Sequence, residues 1–593
     1  MGEPSVGSPP VEKPLDVRLD SWKGIAAYLN RDVTTVQRWE KREGMPVHRH
    51  VHAKRGSVYA LSEELDEWIR SRRPRADEPE DETVAEIIPA RPGEDGAVTR
   101  RRMALRWSAA ALLCLCLACG AWFALRHRVG GPAAAPLRSL AVLPLRNLSG
   151  DPAQDYLADG ITEALIGRLS NIHELRVTSH TSVMRFKDPQ LSVPEIAKAL
   201  GVDGLVEGSV IREGDHIRVT AQLIRGATDE HFWSETYDRE MRDALGLESE
   251  LAQAIAQKVE VTVTGDEHQR LSSARAVAPE VYESYLKGEY VLGQGNRAGV
   301  EQSIHYFEDA LTQDGTFAPA YLGMAEAYSS LGTVWAGVSP ETTRPKVTSF
   351  ARKALELDPN MVEAHTVLAN VLQREWQWAE AEAEYRRALE LNPNDASTQA
   401  EFALWLMCQG RTDESVTRVE EARALDPAEV SGDSVSRILF FARRYDDAIR
   451  ESRSALAVQP EHAMNLMGLG FTLIADDKAA EAIPVLEHGL SLSPGSPAIA
   501  GVLIRAYAHA GRRSDALRLL AELKRRKAGG YIPAAAFVNA YLGLDDKEQA
   551  FYWLEQAYKE QSNILQFLKV HPYFDPIRSD PRFGELVHRV GLG

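Results

Sequence analysis

The sequence predicts a multidomain protein that combines a small winged helix-turn-helix, one transmembrane helix, an α/β domain and an all-α repeat solenoid. Three observations support this fold class: an uncharged apolar run from Trp107 to Leu125, an alternation of predicted strands and helices after it, and a repeat of about 34 residues in the C-terminal half. The predicted segments, in chain order, are the winged helix-turn-helix at 18–73, an acidic flexible linker at 74–102, the transmembrane helix at 103–126, the α/β domain at 137–263 and the repeat array at 278–593.

The charge of the chain is unevenly distributed. The whole protein of 593 residues has a net charge of -17, which on its own argues against nucleic-acid binding. Residues 18–75, however, contain thirteen Lys and Arg against eight Asp and Glu. This local excess places any nucleic-acid contact in the N-terminal piece. The acidic, proline-containing stretch that follows at 75–96 has little to bury and predicts a flexible tether.

The N-terminal piece has the pattern of a helix-turn-helix. Apolar residues recur at helical spacing in 22–29, and a second helix can begin at an N-cap formed by Thr34 or Thr35. This second helix has an apolar face with Val36 and Trp39 and a basic polar face opposite. Two short helices joined tightly, the second with a basic face, are typical of a helix-turn-helix.

Basic residues then continue into a predicted wing. The stretch VHRHVHAKRGSVYAL alternates around a Lys-Arg-Gly turn, which predicts a hairpin, and Ser62 can cap a following helix. Gln37 and Arg38 are the best candidates for contacts with base edges, and the other basic side chains can neutralise phosphates. A solvated basic helix face is the alternative. The predicted contacts with double-stranded DNA are Thr35, Gln37, Arg38, Lys41, Arg42, Arg49, Lys54 and Arg55.

This piece resembles the MerR/excisionase-type winged helix-turn-helix. The resemblance is carried by WKGIAAYLNRDVTTVQRWEKREGMPV, the basic wing and LSEELDEWI. The recognition helix of the MerR type often reads Thr-Leu-Arg-Tyr-Tyr-Glu, where this chain has TVQRWE from Thr35 to Glu40. The resemblance therefore implies that Gln37 and Arg38 stand where that family places its DNA-contacting Arg and Tyr. The effector-binding and dimer-helix segments of the MerR type are absent.

The apolar run from Trp107 to Leu125 predicts a transmembrane helix. It has nineteen residues without a charge, which is enough to cross a hydrocarbon layer about 30 Å thick. Four arginines precede the run and two follow it, which favours a cytoplasmic N-terminus. We therefore predict a single-pass protein of the bacterial inner membrane, with the C-terminus in the periplasm and the lipid bilayer as a partner. A buried core helix, a signal peptide and a lipid anchor are the alternatives.

Strands and helices alternate after the apolar run. A strand at RSLAVLPL, a helix at 156–169, a strand at ELRVTS and a helix at 193–200 lead to two strands that turn near Gly214. A further strand at EHFWSETYD and a helix from Asp243 complete the pattern. This alternation predicts an α/β domain.

The same region is similar to the TolB N-terminal-like domain of bacterial membrane-attached signalling proteins. The similar stretches are LAVLPLRNLSGDPAQDYLADGITEALIGRLS, ALGVDGLVEGSV, RVTAQLI and EHFWSETYDRE. The resemblance supplies no catalytic residues. Asp155, Asp159 and Glu163 form an acidic group on one helical face, which we expect to be solvated because no His or Cys accompanies it.

The C-terminal half repeats a helical frame. Ala381, Tyr385 and Ala388 are followed by Pro393, and the same frame recurs so that successive prolines from Pro359 to Pro494 are 34, 34, 33 and 34 residues apart. This period matches tetratricopeptide repeats. The resemblance implies an array with a concave surface for an unknown peptide or protein, although a scaffold role alone is the alternative. The closing stretch LKVHPYFDPIRSDPRFGELVHRVGL resembles an end cap.

The sequence offers no cofactor, metal or catalytic site that we can predict. His48, His50 and His52 could form a metal triplet along one strand, but no carboxylate or cysteine completes it. There is no phosphate-binding loop, kinase signature or nucleophile elbow, and GQGNRAG precedes a repeat helix rather than following a strand. We therefore predict no enzyme, no cofactor and no metal.

Two functions agree with this organisation. The first is a membrane-bound one-component transcription regulator, similar in arrangement to the ToxR/CadC type, in which outer domains sense a signal and an inner head binds DNA. Association of the outer domains into a homodimer would bring two weakly binding heads together. The alternative is an envelope repeat scaffold or assembly protein whose head does not regulate transcription.

Overall fold

The structure, a computed structural model, describes residues 18–29, 31, 33–43, 45–49, 58–62, 64–65, 68, 137–187, 191–272, 276–332, 338–430 and 432–593. These residues belong to two compact units, 1–128 and 129–593. The predicted linker and transmembrane helix lie outside the described residues. In the part of the chain that the structure describes, every helix is too short or too polar to cross a lipid bilayer.

The described part of the first unit, called the head below, contains a three-stranded sheet and two helices. Its elements are β1 (Arg18–Asp20), α1 (Trp22–Leu29), α2 (Val33–Glu43), β2 (His48–Arg49) and β3 (Val58–Leu61). The strand order is β1-β3-β2, and the antiparallel pairing of β2 with β3 agrees with the predicted hairpin. The sequence pattern does not predict β1, because three residues are too few to show a strand periodicity.

The head has a small apolar core to which both helices and the sheet contribute. Its buried members are Ile25, Ala26, Val36, Met45, Val58, Ala60 and Leu65. The ring centroids of Trp39 and Trp68 lie 5.6 Å apart, which ties α2 to the helical residues after β3. The rotation of α2 about its own axis is therefore fixed by packing.

A six-stranded mixed sheet organises the first part of the second unit and confirms the predicted α/β domain. Its elements are β4 (Ser139–Val142), β5 (Arg146–Asn147), α3 (Asp155–Ser170), β6 (Arg176–Val177), α4 (His180–Val183), α5 (Val193–Leu200), β7 (Gly204–Glu213), β8 (His216–Arg225), β9 (Glu230–Glu240), α6 (Ala244–Val259) and α7 (Gly265–Ser272). The strand order is β6-β4-β7-β8-β9, and β5 pairs with β7. Strand β4 is parallel to β6 and β7, whereas β7, β8 and β9 are antiparallel.

The alternation of residues along β8 explains which side of the sheet is covered. Ile217, Val219, Ala221 and Leu223 are fully buried and share one apolar cluster with residues of α3 and α6.

Strand β6 is shorter than the predicted strand ELRVTS. The hydroxyl of Ser179 accepts a hydrogen bond from the amide of Ser182, and this N-cap starts α4 directly after the strand.

Eight helix pairs follow among the described residues and confirm the predicted all-α repeat array. The pairs are α8 (Pro279–Leu292) with α9 (Arg297–Gln313), α10 (Ala318–Leu331) with α11 (Pro340–Leu357), α12 (Val362–Arg374) with α13 (Trp378–Leu391), α14 (Ala396–Cys408) with α15 (Thr412–Leu425), α16 (Asp433–Phe441) with α17 (Tyr445–Val458), α18 (Ala463–Ala475) with α19 (Ala479–Leu492), α20 (Pro497–His509) with α21 (Arg513–Gly529), and α22 (Ala534–Gly543) with α23 (Lys547–Lys559). Ala381, Tyr385 and Ala388 of the repeated frame are all fully buried, as the frame requires.

Small residues allow the helices of the array to approach closely. Phe307 of α9 is fully buried between Gly288 of α8 and Gly323 of α10. A Cβ atom at either glycine would lie 2.4 Å from a ring atom of Phe307. The glycines are therefore required by packing, although glycine by itself weakens a helix.

The array curves with its first helices on the inside. Each first helix contacts the first helix of the next pair, whereas consecutive second helices lie too far apart for comparable contacts. The first helices α8, α10, α12, α14, α16, α18, α20 and α22 therefore form the concave surface.

The C-terminal residues 560–593, called the returning segment below, run back along this concave surface. They contain two 3-10 turns (Asn563–Phe567 and Pro572–Ile577) and α24 (Pro581–Arg589). The side-chain amide of Gln373 donates to Gln566 over 2.8 Å, and the indole of Trp378 donates to the carbonyl of Val590 over 2.8 Å. An end cap would cover only the last pair, whereas this segment reaches the second pair, where Arg344 of α11 donates to the carbonyl of Gln561 over 2.9 Å. Much of the concave surface expected to receive a peptide is thus occupied by the chain itself.

We expect Gly323→Ala to destabilise the array by about 1–3 kcal/mol, because the added Cβ must displace the buried ring of Phe307. Gly167→Ala in α3 is the matched control, since nothing lies within 4 Å of its Cβ position. The control should keep or raise stability by up to about 1 kcal/mol, the difference in helix propensity. Thermal unfolding followed by circular dichroism measures both, and equal melting temperatures for the two variants would contradict the packing argument.

Candidate nucleic-acid interface and sensing region

Helix α2 carries most of the predicted DNA-binding residues. Val36 is fully buried and Trp39 packs against the head core, so this side of α2 faces inward. Arg38 follows Val36 by two positions, about 200° around the helix, and is exposed. Thr35 and Gln37 are half-buried. Packing of the apolar face thereby directs one basic side chain of the predicted set to solvent.

The remaining predicted residues are only partly described. Lys41 and Arg42 lie in α2 and Arg49 lies in β2, but their side chains lie outside the described residues. Lys54 and Arg55 lie outside them entirely. An anchored helix that exposes Arg38 is suited to contact phosphates or base edges.

His48 makes two side-chain contacts that the sequence pattern does not predict. Its Nε2 lies 2.7 Å from Oε2 of Glu64, and its ring stacks on Tyr59 with 5.1 Å between centroids. The two acidic residues after Ser62 were the available signal for such a partner. No group of three or more potential metal ligands is found among the described residues, and His50 and His52 lie outside them.

The acidic group on α3 is not a solvated face, so that expectation is wrong. Asp159 is 7% exposed, and its Oδ2 lies 2.7 Å from Nζ of Lys187. Oδ1 of Asp155 accepts a hydrogen bond from the side-chain amide of Asn147 over 2.8 Å. Burial, with a further contribution from Asp159, raises the pKa of Glu163. The cause is the packing of α3 against α8, a neighbour that helical periodicity cannot reveal.

A buried carboxylate joins the α/β domain to the array. Glu248 of α6 is 1% exposed and accepts hydrogen bonds from Nε of Arg168 at 3.3 Å and from the hydroxyl of Tyr282. Burial raises the pKa of Glu248. Because Tyr282 lies on α8, this contact links the two parts through side chains that are shielded from water.

A second contact lies farther along the array. Asp426, which follows α15, accepts hydrogen bonds from the amide of Ser179 over 3.0 Å and from the hydroxyl of Ser182 over 2.8 Å. The guanidinium of Arg176 also donates to the carbonyl of Leu425. The α/β domain is therefore attached to the array at its first pair and again at its fourth.

Carboxylates gather where the first pairs meet α3. Glu163, Glu289 and Glu326 are half-buried, and burial raises the pKa of all three. The pKa of Glu326 rises to about 8, with repulsion from Glu163 and Glu363 adding to the effect of burial. Glu326 is therefore largely protonated near neutral pH.

The α/β domain matches a family model of a transcriptional regulator domain. Residues 136–257 match the model of the HilA/YgeH-like transcriptional regulator, second domain. This match supports transcriptional regulation, while the resemblances to the TolB N-terminal-like domain and to the MerR/excisionase type stay predictions. Residues 362–395 and 473–541 match tetratricopeptide repeat models, which confirms the repeat family.

Two curated relatives cover parts of the chain. "Putative adenylate cyclase 3" of Rhizobium meliloti is 32% identical over 255 residues, which are 42% of this chain and 42% of the relative. The type IV pilus assembly protein PilF of Pseudomonas aeruginosa is 28% identical over 149 residues, 25% of this chain and 47% of the relative. The chain thus spans less than half the length of each. The first relative contradicts the prediction that no enzyme is present, and we withdraw that exclusion.

Solved structures of repeat proteins are also similar to parts of this chain. A thermophilic tetratricopeptide-repeat protein of Thermus thermophilus is 16% identical with a TM-score of 0.29 and covers 33% of this chain and 99% of its own. YrrB, described as having an unusual peptide-binding site, is 18% identical with a TM-score of 0.20, covering 37% and 88%. PilF of Pseudomonas aeruginosa is 21% identical with a TM-score of 0.23, covering 43% and 96%. These TM-scores are too low for a comparison of sites.

We expect the contribution of Glu326 to the free energy of unfolding to fall as the pH rises from 5 to 8.5. An unfolded glutamate has a pKa of about 4.3, so between that value and about 8 the folded state holds a proton on Glu326 that unfolding releases. Glu326→Gln should remove part of this loss and raise the melting temperature more at pH 8 than at pH 5.5. The exposed Glu341→Gln is the control. Equal pH dependence in Glu326→Gln and the unmodified protein would contradict the assigned protonation.

Proposed function

We propose that this chain is a membrane-bound transcriptional regulator. Its head binds double-stranded DNA in the cytoplasm, residues 103–126 cross the bacterial inner membrane, and the α/β domain and the array form a sensing region in the periplasm. The observation that carries the proposal is the match of residues 136–257 to a transcriptional regulator domain in a chain whose head has a helix-turn-helix pattern.

The head supports DNA binding through the orientation of α2. Val36 is fully buried while Arg38 is exposed, so packing separates the apolar side of α2 from this basic side chain. The contacts available to one such head are few. A homodimer that holds two heads together would raise the effective concentration of the second head and hence the affinity.

The position of β4 in the sheet supports coupling between the α/β domain and the predicted transmembrane helix. The first strand after the predicted span, β4, lies inside the sheet between β6 and β7. Asp203 holds its beginning, accepting from the amide of Ser139 over 3.1 Å and from its hydroxyl over 2.7 Å. A rearrangement of the sensing region would therefore pull on the segment that leads to the membrane.

One observation favours a second candidate. The similarity to PilF, which is named as a type IV pilus assembly protein, favours an envelope scaffold or assembly protein whose head does not regulate transcription. Such a protein would use the array for protein contacts and would show no preferred DNA sites.

Genome-wide crosslinking and sequencing of DNA bound by the full-length protein separates these candidates. We expect discrete peaks that disappear in an Arg38→Ala, Lys41→Ala double variant, because removing two cations weakens phosphate and base contacts. A Lys353→Ala, Arg450→Ala variant removes the same charge from exposed positions of the array and should keep the peaks.

Flat coverage in the unmodified protein, present at the membrane and tested under envelope stress, would favour the scaffold.

The purified full-length protein is assayed separately for conversion of ATP to cyclic AMP, because one relative is named as an adenylate cyclase. Formation of cyclic AMP would assign that activity to this chain.

A further inference from the structure

The two edges of the six-stranded sheet differ in what covers them. At the β6 edge, the guanidinium of Arg176 donates to the carbonyl of Leu425, and the side-chain amide of Asn394 donates to the carbonyl of His173 over 2.8 Å. The array therefore covers this edge. The opposite edge is β9, and in the part of the chain that the structure describes no strand pairs with its outer side. An uncovered edge strand presents amides and carbonyls that can pair with another strand.

The direction of the backbone along β9 identifies the groups that are available for pairing. The amide of Met241, directly after β9, donates over 2.7 Å to the carbonyl of Asp215, directly before β8. Because this direction alternates along a strand, the odd-numbered residues near the end of β9 bond to β8. The residues whose backbone groups point away from β8 are therefore Ser234, Thr236 and Asp238.

One of these outward-facing backbone groups has a partner among the described residues. The carbonyl of Asp238 accepts from the guanidinium of Arg239 over 2.9 Å, and a carbonyl can accept a second hydrogen bond. No backbone hydrogen bond of the described chain reaches the outward amides of Ser234 and Thr236. The middle of β9 is therefore open to a further strand.

Strand β9 also lacks the features that usually prevent edge pairing. It has 11 residues and contains no proline, glycine or lysine. Its register shift lies opposite Leu223 and Ile224, before the outward-facing stretch. Ser234, Glu235 and Thr236 are exposed in succession.

The charges of β9 indicate that the partner strand is β9 of a second copy. Two copies paired antiparallel around a two-fold axis at Tyr237 place Glu235 of each copy opposite Arg239 of the other, so that two attractive pairs form. An axis at Glu235 or at Asp238 would instead place that carboxylate opposite its own copy. An axis at Thr236 would form no charge pair.

Both charged side chains lie where this pairing requires them. Glu235 is exposed, and its Oε2 accepts from the hydroxyl of Tyr237 over 2.9 Å. The side chain of Arg239 is 37% exposed, and its Nη2 donates to Oε2 of Glu250 over 2.6 Å. A guanidinium has five N–H donors, so Arg239 can keep Glu250 and still bind a second carboxylate.

We propose that β9 is the interface of a homodimer, in which the β9 strands of two copies pair antiparallel around Tyr237 and join the two six-stranded sheets. Thr236 of each copy lies opposite Asp238 of the other, and the two residues exchange both backbone hydrogen bonds. This assignment rests on the proposed regulator function for its purpose, since it supplies the dimer that brings two heads together. The pairing itself does not require DNA binding.

Sedimentation equilibrium of the full-length protein in an excess of detergent micelles tests the pairing. We expect a monomer–dimer equilibrium whose dissociation constant rises about 10-fold or more in Glu235→Arg and in Arg239→Glu, because each variant places like charges opposite each other twice. In an equimolar mixture of the two variants, every arginine lies opposite a glutamate. The mixture should therefore regain the affinity of the unmodified protein, which the loss of a contact within one chain cannot explain.

The same charge changes outside the pairing are the controls. Glu213→Arg lies at the turn between β7 and β8, and Arg242→Glu lies directly after β9 at a side chain that is 70% exposed. Both should keep the dimer.

A backbone variant provides a second test that does not depend on charge. Thr236→Pro removes an amide that points away from β8, so it should abolish the dimer while the sheet stays folded. Thr236→Ala keeps the amide and should keep the dimer.

A monomer at every concentration of the unmodified protein would overturn the proposal. So would a dimer that tolerates Thr236→Pro and both charge variants, or a mixture that stays as weak as its components. Because no DNA is present, these outcomes are separate from the failure of the regulator function. A monomer with discrete DNA peaks would reject the interface alone, and a β9 dimer with flat DNA coverage would reject the regulator alone.

Discussion

The packing of the returning segment against the first helices decides what the array can bind. Leu565, Phe574 and Ile577 are fully buried in the same apolar cluster as residues of α18, α20 and α22. The segment is therefore part of the core of the array and not an appendage that covers its last pair. An open groove for a long peptide is thus replaced by a cavity between the returning segment and the first helices.

Side-chain contacts couple the array to the α/β domain within residues 129–593. Glu248 is buried and connects α6, α3 and α8 through hydrogen bonds, and Asp426, which follows α15, accepts from the hydroxyl of Ser182 in α4. Losing one partner of a buried carboxylate is costly, so these contacts resist independent motion of the two parts. A ligand that shifts the array would therefore act on the sheet, whose inner strand β4 leads back toward the head.

Local sequence patterns predicted the helices and strands, whereas the contacts between residues far apart in the chain came only from the structure. The frame of Ala381, Tyr385 and Ala388 predicted the helix pairs because small buried residues recur at a fixed period, and Gly214 marked the turn between β7 and β8. The contact of Gln373 with Gln566 joins residues 193 positions apart, and no periodicity indicates it.

Hydrogen-deuterium exchange of the full-length protein over residues 563–592 tests the position of the returning segment most directly. The amide of His571 donates to the carbonyl of Phe567 over 2.9 Å, and that of Val590 donates to Leu586 over 3.1 Å, in surroundings closed to water. These amides should exchange as slowly as those of α16 and α18. Rapid exchange over this segment, with slow exchange retained in α16 and α18, would contradict the account.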